Sequence, residues 1–193
     1  MKNKVNLKLM LMIVIHPADP TTEFLKALYS CKEDAELYTQ AHSNAEIRRT
    51  LSRRVYPGET IMMLGHGCEY GLFANSRQNR RFDRLIVNAA HVQFLRNKNC
   101  IGIWCNADGF AERYGLHGLF TGMIISEVEE AVLYNIMTTS EEIAEENDRL
   151  VKLTGEALQK CKDLSEIPEY IRTHAPMNTP LQRFNYNNFH YFP

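Results

Sequence analysis

The sequence predicts an α/β domain: a three-layer sandwich in which a mainly parallel sheet carries helices on both faces. Three observations predict it. Short apolar runs recur along the chain, at Leu9 to Ile15, Ile61 to Leu64, Ile101 to Trp104 and Gly122 to Ser126. Segments with helical spacing and capping residues separate them. The length of 193 residues, 45% apolar and 23% charged, suits one domain over 1–193 with a sizeable core. Alternating strands and helices join parallel strands through crossovers, which places helices on both sides of the sheet.

The elements follow in order. Leu7 to Ile15 is continuous apolar sequence stopped by Pro17 and Pro20, which reads as a buried strand. Asp19 or Thr21 is placed to cap a helix presenting Phe24, Leu25 and Leu28. A short strand is expected near Glu36 to Ala41. Ser43 and Glu46 have capping-box spacing, and Ile47, Leu51 and Val55 continue at helical intervals until Pro57-Gly58. Ile61 to Leu64 forms the next strand and ends at Gly65-His66-Gly67. Tyr70 to Arg84 reads as a hairpin or open loop. Leu85, Ala89 and Val92 mark a helix closed by Asn97-Lys98-Asn99. Cys100 to Trp104 is a third buried strand and delivers Cys105 at its end. Gly109 to Leu119 is expected to be loop and a short helix, and Gly122 to Ser126 a fourth strand before a helix starting near Glu127. Thr139 and Glu142 open a long helix to about Cys161. The tail after Pro168 reads as irregular, with an edge strand near Phe184 to Phe192.

Composition narrows the function. A formal net charge of −1 argues against a general nucleic-acid binder. The arginines at 48, 49, 53 and 54 and at 77, 80, 81 and 84, like the acids from Glu127 to Asp148, read first as solvated faces; the Arg77 to Arg84 segment alternatively meets an acidic substrate or partner. Five scattered cysteines without a C-x-x-C pair argue against a disulfide framework or structural zinc, so a reducing, cytoplasmic setting is expected. A metal set of His66, Cys68, His91 and Cys105 matches no familiar spacing. The apolar N-terminal run is short, abuts Lys8 and lacks a cleavage site, so it reads as a strand rather than a signal peptide, and no stretch is long enough for a membrane span. Arg113 lies eight positions after Cys105 with Asp108 between, which does not suit a phosphate loop. No glycine-rich nucleotide fingerprint is present.

What remains is His66 and Cys105. Both lie just past the carboxyl ends of apolar strands, where ligands sit in open parallel sheets. A cysteine nucleophile needs a base or proton donor, and acyl transfer needs backbone N–H groups aimed at the developing oxyanion. Gly67 allows the backbone to approach a substrate closely.

An apolar strand ending in His66-Gly67, followed 39 residues later by a strand ending in Cys105, resembles the caspase-like cysteine peptidases, which include caspases, metacaspases, gingipains, clostripain and separases. Gly65-His66-Gly67-Cys68-Glu69-Tyr70-Gly71 looks like the His loop of that fold, and the likeness covers roughly residues 7 to 137. The resemblance implies that Cys105 is the nucleophile and His66 the general acid–base group. The N–H groups of Gly67 and Cys105 would form the oxyanion hole, the two strands would be neighbours, and the substrate would be a peptide or protein. Asp19 follows the first strand, where relatives that cleave after Arg or Lys carry an acid for the substrate's basic side chain, so the resemblance adds substrate binding to its helix-cap reading. No metal or cofactor is implied. Trp104 departs from the family, which has a small residue directly before the cysteine. The alternative is therefore a caspase-like module that has lost catalysis and binds or regulates.

Overall fold

The computed structural model describes residues 12–32, 35–54, 59–74 and 84–193. The start of the first apolar run, Val55, Pro57-Gly58, and Arg77, Arg80 and Arg81 lie outside them. Nine strands are described: β1 (Met12–Ile15), β2 (Ala35–Tyr38), β3 (Thr60–Leu64), β4 (Gly67–Cys68), β5 (Gly71–Ala74), β6 (Arg84–Val87), β7 (Asn99–Ile103), β8 (Gly118–Thr121) and β9 (Phe189–Phe192). The helices are α1 (Asn44–Arg54), α2 (Val92–Leu95), α3 (Ala107–Tyr114), α4 (Val128–Leu133), α5 (Ser140–Lys160), α6 (Ile167–His174) and α7 (Pro180–Tyr186).

A six-stranded sheet runs β2-β1-β3-β7-β8-β9, parallel throughout except for the antiparallel edge pair β8–β9. The strands are apolar on both faces, and the two-residue period sorts them. Ile13, Ile15, Ile61, Met63, Cys100 and Phe120 pack with Ile47 and Leu51 of α1, Leu95 of α2 and Phe110 of α3. Val14, Met62, Leu64, Ile101, Ile103 and Leu119 pack with Leu25, Leu28, Leu150 and Val151 of the other layer, and with Ile167 and Ile171 of α6. The α/β class with a mostly parallel sheet and helices on both faces is therefore observed. A second, antiparallel sheet, β4-β5-β6, grows from the loop after β3.

Local signals explain several elements. Ser43 accepts the Glu46 N–H at 3.2 Å while Glu46 accepts the Ser43 N–H at 2.7 Å, and α1 follows. Thr139 and Glu142 form the same reciprocal cap on α5. Elsewhere the expectations need correction. Asp19 and Thr21 cap no α-helix: the turn Glu23–Leu28 is 3₁₀, begins after Thr22 and has no side-chain cap bond. Leu85 belongs to strand β6, so the helix starts later, with a 3₁₀ turn at Ala89–His91 leading into α2.

The strand expected at residues 122–126 lies instead at Gly118–Thr121, the last parallel strand in the chain. Residues 122–126 leave the sheet because other groups satisfy their backbone. The buried Asn185 side chain accepts the Ile125 N–H at 2.9 Å and donates to the Ile125 carbonyl at 3.0 Å, the two bonds a neighbouring strand would have supplied. The tail is ordered rather than irregular. Pro168 lies in the first turn of α6, where its missing N–H costs nothing, and a Thr179–Gln182 capping box starts α7. The expected edge strand is β9.

Candidate active site

The register of β3 and β7 sets the site. Leu64 pairs with Ile103, and the ladder extends one bond further, from the Gly65 N–H to the Ile103 carbonyl at 3.1 Å. His66 and Cys105 each follow two residues after that last pair, so the two groups leave adjacent strands at the same level. They line one small cavity of about 20 Å³, together with Thr22, Trp104, Ile124 and Ser126. That is room for about one water molecule.

Cys105 sits at a sharp reversal. Asn106 adopts the left-handed conformation, φ 63°, and α3 starts at the next residue. Asparagine tolerates that conformation better than most side chains, so strand turns into helix within two residues and the sulfur lies at the bend. The Cys105 thiol faces the Ile124 carbonyl at 3.7 Å and Oε1 of Glu130 at 3.9 Å. Burial, reinforced by the Glu130 carboxylate, pushes its pKa up to about 12. The resting sulfur is therefore a protonated thiol.

His66 is held from the β1 side. Asp19 accepts the Thr21 N–H at 2.9 Å and the Thr21 hydroxyl at 2.7 Å. With its hydrogen given to Asp19, the Thr21 oxygen accepts from Nε2 of His66 at 2.6 Å. Asp19 itself lies 3.9 Å from that nitrogen. The chain Asp19–Thr21–His66 fixes the ring, with a proton on Nε2. Asp19, expected as a substrate acid or helix cap, is thus placed behind the histidine and turned into its own loop.

Gly67 is in place beside His66, but the room a side chain would need is taken. A Cβ there would fall 2.1 Å from Cδ1 of Trp104 and 2.6 Å from the Gly71 carbonyl. A Cβ on Gly102 would fall 2.7 Å from Cζ3 of the same indole. Two glycines therefore make the slot that Trp104 fills between the sheet and α3, edge-on to Phe110 and Phe120. Its Nε1–H donates to the Cys68 carbonyl at 3.1 Å, which ties the His loop to the cysteine strand. The large residue before Cys105 is buried under the site.

Sequence reasoning missed Thr21 as a partner of His66, and it missed Glu130. Glu130 occupies the third position of α4 and closes a capping box with Glu127: its Oε2 accepts the N–H of Ser126 at 2.7 Å and of Glu127 at 3.2 Å. The signal for a cap was present, but Ser126 and Glu129 have the same spacing and the better cap type. Burial pushes the Glu130 carboxyl up, against the pull of the Ser126 N–H and of His66.

Beside the small cavity a wider groove of about 440 Å³ runs between the Thr21–Phe24 turn, α4 and α5, with Glu127, Glu129 and Asp148 among its lining. Among the described residues no group of three or more His, Cys, Asp or Glu side chains is arranged to hold a metal ion, and no helix is long and apolar enough to cross a membrane. All five cysteines are free thiols. No protein-family model matches the chain and no curated protein matches its sequence, so the site stands on its own geometry.

Proposed function

We propose that the chain is a caspase-like cysteine peptidase in a closed resting state, with Cys105 as nucleophile and His66 as general acid–base group. The observation that carries this reading is the convergence of the two side chains on one cavity at the level ends of adjacent parallel strands. The sulfur attacks the scissile carbonyl as its proton passes to His66. His66 returns that proton to the departing amine; a water molecule then gives a proton to His66 as it attacks the thioester, and His66 hands that proton to the departing sulfur, which restores the thiol. Because Thr21 engages Nε2, the proton is exchanged at Nδ1. The N–H groups of Gly67 and Cys105 are assigned to the oxyanion. The adjoining groove takes the substrate chain, and its carboxylates favour a cationic side chain. The free thiols suit a cytoplasmic setting.

The cavity at rest is too small for a peptide, so turnover requires movement of the 122–130 segment. That closure, together with the raised thiol pKa, favours a second reading: a caspase-like module that binds without cleaving. A mixed peptide library separates the two. The peptidase reading expects cleavage, biased toward basic residues, that disappears in C105A and in H66A while C105A still binds the cleaved sequences. Absence of cleavage by the wild-type chain, or equal cleavage by C105A, rejects it; partner binding undiminished in C105A would then identify the module.

A further inference from the structure

Glu130 touches two parts of the site at once. One carboxylate oxygen faces the Cys105 sulfur at 3.9 Å. The other accepts the Ser126 N–H and hydroxyl and the Glu127 N–H, at 2.7, 3.2 and 3.2 Å. The backbone held in this way carries Ile124, which lines the cavity and whose carbonyl meets the same sulfur at 3.7 Å. A helix cap does not require its acid to lie against a nucleophile. The bonds on Oε2 complete the cap, and they leave Oε1 turned to the thiol.

We infer that Glu130 is a latch on Cys105: a single carboxylate holds the sulfur in its thiol form and pins segment 124–127 over it. The reason is electrostatic. Two negative charges within 4 Å in a poorly hydrated cavity are unfavourable, so an ionised Glu130 keeps the proton on Cys105. The other charged groups facing this pair are His66 from the end of β3, with Asp19 behind it, and Glu127 at the start of α4. From α5 the neighbours are Leu150 and the Asn147 amide, which donates to the Ser126 carbonyl at 3.2 Å. The latch opens when segment 124–127 lifts off the sulfur, which uncovers the thiol.

The inference needs no peptide cleavage, so its test stands apart from that of the peptidase reading. The folded full chain is alkylated with iodoacetamide from about pH 6 to 10, and each cysteine is read separately by mass spectrometry. Thiolate sulfur displaces iodide, so the rate follows the thiolate fraction. In the wild type, Cys105 is expected to react more slowly than the exposed Cys31. E130Q retains an amide able to complete the capping box but removes the charge. Its Cys105 profile is expected to move to lower pH by about one unit, a tenfold faster reaction at a fixed pH below the midpoint, while Cys31 is unchanged. E130A also loses the clamp and is expected to react faster still; should it fail to fold, E130Q carries the test. Superimposable wild-type and E130Q profiles would overturn the latch. Slower labelling in E130Q would overturn it too, since the carboxylate would then be activating the thiol.

Discussion

Trp104 rests in a slot that exists because Gly67 and Gly102 have no side chains, and neither glycine is needed there for its backbone angles. The glycine after His66 is thus fixed by packing. G67A is expected to destabilise the fold by about 1–3 kcal/mol, since the indole is wedged between sheet and α3 and cannot give way cheaply. Urea unfolding followed by the single tryptophan's fluorescence reads this directly; an unchanged midpoint would refute it. His66 and Cys105 were legible in the sequence because each follows an apolar strand within two residues. Thr21 and Glu130 were not, because their roles depend on contacts across 45 and 25 residues that no local pattern encodes.

Capping pairs were the most readable signals at the level of elements: Ser43 with Glu46 and Thr139 with Glu142 open helices where their spacing puts them. Residues 122–126 mislead because apolar content alone does not make a strand. Their sheet-like bonds come from one distant side chain, that of Asn185, which is fully buried. N185A is therefore expected to cost about 2–4 kcal/mol, as both the N–H and the carbonyl of Ile125 lose their partner in the interior. It is also expected to loosen Ile124 above Cys105. Denaturant unfolding checks the first effect and faster amide exchange at residues 123–127 the second. A neutral result on both would mean that water replaces the amide without loss. The tail misreads for a related reason: Asn and aromatic residues resemble a loop until the caps at Thr179 and the pairing of β9 with β8 are known.

The alternation of strands and helices was enough to give the α/β class of the molecule, whereas the strand order and the small β4-β5-β6 sheet depend on pairing between distant segments. Buried histidines on opposite sides of the main sheet give the whole fold an acid limit. Burial holds His91 at a pKa of about 4, against 6.5 for a free side chain, and lowers His16 as well. Both therefore fold as neutral rings, and the unfolded chain binds their protons first. Their stabilising contribution is complete above about pH 6.5 and is lost as the pH falls toward 4; for His91 it is on the order of 3 kcal/mol. Stability curves of the wild type and H91Q should converge across that window; parallel curves would show that carboxylates alone set the limit. The sheet order has a different consequence, in time. Each central pairing spans a complete crossover, and β8 must wait for β9, since Thr121 pairs with Phe189 across the whole of α4 to α7. Little of the sheet can be rewarded by near neighbours in the chain, so the search for partners is long. During that search Leu119 and Phe120 stand on an open strand edge, and a second unfinished copy is as good a match for it as the chain's own β9.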